Sequence, residues 1–187
     1  MVDPIKARRV RLLGLDVDGV LTDNGVYIGA AGGQAVELKK FDIQDGLGLA
    51  ICRLIGLEVV WVSGRASPAT SVRAEELGIE MVQDSSARKL PLIEQMLARR
   101  NLQWDQMAFV GDDLADIPVF RRVGLPIAVA NAVAEVKALA AHVTIARGGA
   151  GAVREAIEAL LGARGEWDEG VRRFLKDRDS DGQPAAL

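Results

Sequence analysis

The chain has 187 residues, 49% hydrophobic and 26% charged, which suits one folded domain with its own core and excludes a disordered chain. Its 23 Lys and Arg against 26 Asp and Glu leave a net charge of −3, without the basic footprint of a general nucleic-acid binder. With Cys52 and His142 the sole residues of their kinds, an internal disulfide and a Cys/His zinc cluster are excluded. The first nine residues hold no apolar signal stretch, and no run approaches the ~20 residues of a membrane span. A cytoplasmic protein without nucleic-acid or membrane partners is expected, its chemistry carried by carboxylates, hydroxyls, Lys and Arg.

Short apolar runs alternate with amphipathic stretches along the chain. Val10–Leu15 reads as the first strand, followed by an interruption at Asn24–Phe41. There Gly25–Ile28 and Gln34–Leu38 flank Ala30-Ala-Gly-Gly33, the pattern of a β-hairpin. A helix is predicted over Gly46–Ile55, a strand over Leu57–Val62, and a helix over Pro68–Leu77 opened by Ser67-Pro68. Strand Ile79–Val82 and helix Arg88–Arg100 follow, then strand Gln106–Val110 and helix Leu114–Arg122. Strand Pro126–Ala130, helix Val133–Ala140 with Asn131 as its start signal, strand His142–Ile145 and helix Ala152–Leu161 complete the alternation. Gly56, Gly78 and Gly124 sit where left-handed helix ends are expected.

This order predicts an α/β fold, a Rossmann-like parallel sheet with helices on both faces and a protruding β-hairpin. The domain is expected over residues 1–165, with the hairpin at about 24–41. Residues 166–187, charged and then polar, are expected to be an irregular tail outside it.

In an open α/β sheet, ligands bind beyond the carboxyl ends of the strands. The first strand runs into Asp16-Val-Asp18-Gly-Val-Leu-Thr22-Asp23, and the second into Ser63-Gly64-Arg65. Lys89 opens the helix after the third, and the fourth runs into Gly111-Asp112-Asp113-Leu-Ala-Asp116. Several acids leaving buried strands are costly unless something positive neutralises them. A partly hydrated Mg²⁺, held by one or two carboxylates and a phosphate, meets that requirement. Lys89, Ser63 and the backbone N–H of Gly64 would then hold phosphate oxygens. A carboxylate can act as nucleophile through an aspartyl-phosphate, and a second acid can protonate the leaving oxygen and activate water.

At these residues the chain resembles the haloacid dehalogenase superfamily of phosphohydrolases over about Val10 to Leu161. The resemblance implies Asp16 as nucleophile, Asp18 as general acid/base, and Ser63, Gly64 and Lys89 as phosphate-binding residues. It implies Mg²⁺ held by Asp16, the backbone carbonyl of Asp18, and Asp112, with Asp113 and Asp116 supporting the site.

The intervals Asp18 to Ser63 and Ser63 to Lys89, 45 and 26 positions, leave no space for a separate cap domain. Phe41-Asp-Ile-Gln-Asp-Gly-Leu-Gly48, Ser63-Gly-Arg-Ala-Ser-Pro68 and Gly148-Gly-Ala-Gly-Ala-Val-Arg-Glu155 are similar to the 3-deoxy-D-manno-octulosonate (KDO) 8-phosphate phosphatase family. This implies a sugar-acid phosphate substrate, a lipopolysaccharide precursor, and a homotetramer joined through the hairpins. Substrate contacts would fall on Asp18, Gln44, Asp45, Gly46, Leu47, Gly48, Arg65 and Arg73. Gln44 stands where that family often has Arg, and Ala150 interrupts its usual Gly-Gly-(Lys/Arg)-Gly. A phosphatase for nine-carbon sialic-type sugar-acid 9-phosphates is therefore the alternative within the fold. Outside it, a phospho-accepting receiver domain and an inactive oligomeric scaffold share part of the pattern.

Overall fold

Six short apolar stretches pair as one parallel sheet in the computed structural model, which describes residues 2–83 and 88–180. The chain runs α1 (Pro4–Arg9), β1 (Leu12–Leu15), β2 (Tyr27–Ala31), β3 (Gln34–Leu38), α2 (Ile43–Leu54) and β4 (Glu58–Ser63). It continues through α3 (Pro68–Leu77), β5 (Glu80–Gln83), α4 (Lys89–Arg99), β6 (Met107–Gly111), α5 (Ile117–Phe120) and β7 (Leu125–Ala128). It ends with α6 (Ala134–Leu139), β8 (His142–Val143), α7 (Ala152–Arg164) and α8 (Trp167–Ser180). The strand order is β5-β4-β1-β6-β7-β8. Every residue of β1, β6 and β7 is buried, as expected for strands covered on both faces. The helices form two packed groups, one of α1, α2, α3, α7 and α8 and one of α4, α5 and α6.

Strands β2 and β3 form a separate antiparallel ribbon, Tyr27 opposite Leu38 and Ala31 opposite Gln34. Its turn is Gly32-Gly33, with φ of +60° and +78°, the left-handed pair that a two-residue hairpin turn requires. A bridge between Thr22 and Phe41 roots the ribbon beside β1, and the Phe41 ring stacks on buried Trp61 at 6.1 Å.

Several local expectations change in the structure. Helix α1 was not expected; Asp3 caps it by accepting the Ile5 N–H at 2.8 Å, and Pro4 fills its first turn. Helix α2 starts at Ile43, because Asp42 accepts the Gln44 N–H at 2.7 Å, so Gln44–Gly48 is helical. The stretch 114–122 breaks into a 3₁₀ turn at Leu114–Asp116 and the short α5, with Pro118 in its first turn. Gly124 lacks a left-handed backbone; a side chain there would meet the Asp105 carbonyl. Asn131 does not cap α6, whose N-cap is Val133.

The largest correction concerns the tail. Residues 167–180 form α8, which packs on α2 and α7. Trp167, Val171 and Phe174, spaced four and three apart, supply its apolar stripe against the core. The Arg154 guanidinium lies over the Trp167 ring at 4.9 Å, and Arg173 donates to the Leu54 carbonyl at 3.0 Å. The charges that dominate this segment hide the stripe in the sequence. Residues 181–187, the rest of the expected tail, lie outside the described residues.

Asp45 joins the α2 and α7 layers. Its buried carboxylate accepts the Arg154 N–H at 2.7 Å in the first turn of α7, a helix whose N-cap, Gly151, offers no side chain. Burial, helped by Asp42 and opposed by the α7 N–H groups, pushes Asp45 up to about 6. Asp45→Ala is expected to lower the unfolding free energy by about 1–2 kcal/mol in a denaturant titration. Because the folded pKa is raised, the native state favours the protonated acid, and its contribution is full below the ordinary 3.8 and lost as pH rises through about 6. The deficit of the alanine variant should therefore be largest in acid and shrink toward pH 8.

Candidate active site

The strand order places β1 between β4 and β6, so the residues leaving these three strands meet at one edge. Asp16 continues β1, donating its N–H to the Val110 carbonyl at 3.0 Å. The chain then turns tightly: the Val17 carbonyl receives the N–H groups of Leu21 at 3.0 Å and Thr22 at 3.1 Å. Gly19 sits in this turn at φ +87°, and a side chain on it would meet the Asp112 carboxylate at 2.0 Å. Only glycine fits, for conformational and steric reasons together.

Lys89, the first residue of α4, is buried with its Nζ 2.7 Å from Asp16 Oδ1 and 2.5 Å from Asp116 Oδ1. The other Asp116 oxygen accepts the Asp112 N–H at 2.9 Å. Asp16, Asp112 and Asp116 present carboxylate oxygens all within 4.8 Å of one another. Three buried acids against one ammonium leave a surplus of negative charge. Burial, then Asp116, outweighs the pull of Lys89 and raises Asp16 to about 6. Burial, then Asp16, Asp116 and Asp113, raises Asp112 to about 8. Burial alone would lower Lys89, but Asp16 and Asp116 more than reverse it. Asp112 Oδ1 is buried without a hydrogen-bond partner among the described residues. Hard oxygen donors, surplus charge and an orphaned carboxylate oxygen fit a divalent cation.

Above this cluster opens a cleft of about 170 Å³, lined by Asp16, Asp18, Gly64, Arg65, Lys89, Asp112 and Asp113, with Asn24 at its rim. Asp113 is exposed and accepts the Leu114 N–H at 2.7 Å, capping the 3₁₀ turn. Ser63 ends β4; its hydroxyl donates to the Arg65 carbonyl at 2.8 Å and accepts the Arg65 N–H at 3.1 Å, folding the Ser63–Arg65 turn.

The remaining expected contacts lie elsewhere. Gln44 is exposed on α2, and Asp45 is committed to α7. Gly46 and Gly48 face Arg73 and α7 closely, since a side chain would meet Arg73 at 3.0 Å and Ile157 at 3.1 Å respectively. Leu47 packs against the core. Arg73 pairs with Glu76 at 2.7 Å on α3.

Other residues meet at the site that were not expected there. Asn131 donates to the Gly19 carbonyl at 2.8 Å and accepts the Gly148 N–H at 2.6 Å, and Gly149 donates to Val20 at 3.2 Å. The glycine-rich segment 148–151 thus braces the Asp16–Thr22 turn. From the hairpin root, Lys39 reaches Asp18 Oδ1 at 2.6 Å, and Glu37 takes both terminal nitrogens of Arg65 at 2.6 and 2.7 Å. Lysine is ordinarily exposed, so nothing local marks Lys39 as buried.

The description "haloacid dehalogenase-like hydrolase" belongs to a family whose pattern matches residues 67–157. The 3-deoxy-D-manno-octulosonate 8-phosphate phosphatase of Escherichia coli is 40% identical over 164 residues, 88% of this chain and 86% of that protein. The Moraxella catarrhalis enzyme of that name, solved with magnesium, phosphate and KDO, is 32% identical with a TM-score of 0.85, over 91% of this chain and 97% of that one. The cobalt-bound Haemophilus influenzae deoxy-D-mannose-octulosonate 8-phosphate phosphatase is also 32% identical, with a TM-score of 0.82 over 91% and 99% of the two chains. Shared sequence along nearly the whole domain, together with a common backbone, places this chain in the KDO 8-phosphate phosphatase family of haloacid dehalogenase-like hydrolases, and it is a phosphatase.

Proposed function

We propose that the protein is a Mg²⁺-dependent phosphatase hydrolysing KDO 8-phosphate to KDO and inorganic phosphate through an aspartyl-phosphate. The observation that carries this is the surplus of buried carboxylate around Asp112 Oδ1, beside Lys89, in a chain 40% identical to a phosphatase of that name. Asp16, the backbone carbonyl of Asp18, and Asp112 would hold the ion, with Asp113 and Asp116 supporting them. When bound, Mg²⁺ supplies positive charge that offsets the acids and the phosphoryl oxygens.

The chain's own groups do the rest. Lys89, the Gly64 N–H and the Ser63 hydroxyl hold the phosphoryl oxygens, the last by redirecting its proton from Arg65. An Asp16 oxygen attacks phosphorus while the bond to the sugar oxygen breaks, and the Asp18 carboxylic acid gives its proton to that oxygen. Asp18, now a carboxylate, takes a proton from water as the water attacks the aspartyl-phosphate. Phosphate leaves, Asp16 is regenerated, and Asp18 is again protonated. Arg65, at the cleft, is the fork suited to a sugar-acid carboxylate.

The hairpin supports a homotetramer. Val26, Tyr27, Ile28 and Leu38 are exposed, and a two-stranded ribbon is marginal alone, so further copies are the fitting cover.

Asp16→Asn is expected to abolish phosphate release, a loss of at least about 10³-fold, with an unchanged circular dichroism spectrum. Full activity in that variant would refute the nucleophile. Offered KDO 8-phosphate and a nine-carbon sialic-type 9-phosphate side by side with Mg²⁺, the enzyme should turn over the former at least about tenfold more efficiently, ~1.4 kcal/mol of discrimination. The reverse preference would transfer the assignment to the nine-carbon sugar. Ile28→Asp, at a position 77% exposed in one subunit, should shift the sedimenting species from tetramer toward monomer. An unmoved tetramer would remove the hairpins from the interface.

A further inference from the structure

The geometry points to Lys39 as a positioning residue for the reaction, holding the Asp18 carboxylate in line with the cleft from the root of the hairpin. This rests on the phosphatase assignment above and deepens it. Lys39 follows β3, two residues before the Thr22–Phe41 bridge that ties the hairpin to the turn after β1. That short tether delivers its side chain to Asp18. The side chain has no exposed surface, and its Nζ lies 2.6 Å from Asp18 Oδ1 and 3.1 Å from Thr70 Oγ1.

A buried ammonium is costly unless paired, so Lys39 is not a solvating surface charge that happens to lie near an acid. Nor is Asp18 held equally by another cation. The Arg65 Nε is 3.8 Å from Asp18 Oδ2, and both Arg65 terminal nitrogens are drawn to Glu37, whose other oxygen also receives the Ser67 hydroxyl. Among the described residues Asp18 thus has one close cation, itself held by a buried threonine of α3. Held between Asp18 and Thr70, the ammonium fixes the carboxylate it faces in one place beside the cleft. A misplaced acid/base costs more when the leaving oxygen needs its proton.

The test compares two phosphate esters. KDO 8-phosphate leaves as an alkoxide that needs a proton, whereas p-nitrophenyl phosphate leaves as a stable phenolate. In Lys39→Met, which keeps the apolar stem, kcat on KDO 8-phosphate should fall about 10²-fold. On p-nitrophenyl phosphate the same variant should give a near-stoichiometric burst of nitrophenolate at close to the wild-type rate. Slow turnover should follow, because Asp16 is still phosphorylated while water activation lags. A purely structural role predicts equal losses on both esters with a reduced burst amplitude, and that result, or wild-type rates on both, would overturn the assignment. If Lys39→Met does not fold, the isosteric Thr70→Val decides in its place: the same imbalance at about tenfold supports the assignment, and equal losses overturn it. Wild-type enzyme run alongside separates the premises. If it released phosphate from neither ester, the phosphatase mechanism itself would fail, whereas an active wild type matched by its variants would sink only the role of Lys39.

Discussion

The structure turns on an imbalance of charge at one edge of its sheet. Asp16 and Asp112 leave adjacent buried strands, Asp116 closes over them, and Lys89 is the one ammonium among the three in the described residues. Such a cluster is unfavourable in a low-dielectric interior, and the upward displacement of Asp16 and Asp112 expresses that cost. A fold built only for stability would replace these acids with apolar side chains. Their presence fits a site that takes a positive ion.

Much of the surrounding architecture holds this arrangement open. Gly19 yields space to the Asp112 carboxylate, and Asn131 with Gly148 and Gly149 grips the Gly19–Val20 backbone from the opposite side. The turn carrying Asp16 and Asp18 is therefore clamped between loops from distant parts of the chain. Lys89 reaches the acids from the start of α4, where a lysine on a longer loop would sample many positions.

The hairpin has two unlike ends. Its outer strands expose apolar side chains, whereas its root sends Glu37 and Lys39 inward to Arg65 and Asp18. An exposed apolar segment is thus mechanically continuous with Asp18, the proposed acid/base. At α8, Trp167, Val171 and Phe174 pack against the core beside α2 and α7 and make the charged C-terminal segment part of the domain.

Local pattern in the sequence was enough to determine the alternation of strands and helices, the Gly32-Gly33 hairpin and the order of Asp16, Asp18, Ser63, Lys89 and Asp112. These follow from periodicity, turn chemistry and the rule that polar residues at strand ends face the ligand edge. The tertiary structure alone decided which polar residues share a partner. The family resemblance implied Asp45 as a substrate contact, and the packing of α2 on α7 gives its carboxylate the first turn of α7 as a partner. Asn131 looked like a cap and became a loop brace, and Lys39, which no sequence pattern singled out, became buried against Asp18. Residues far apart in sequence, such as Asn131 and Gly19 or Arg154 and Asp45, meet only when the sheet order and helix packing are set. No local spacing encodes those long-range distances.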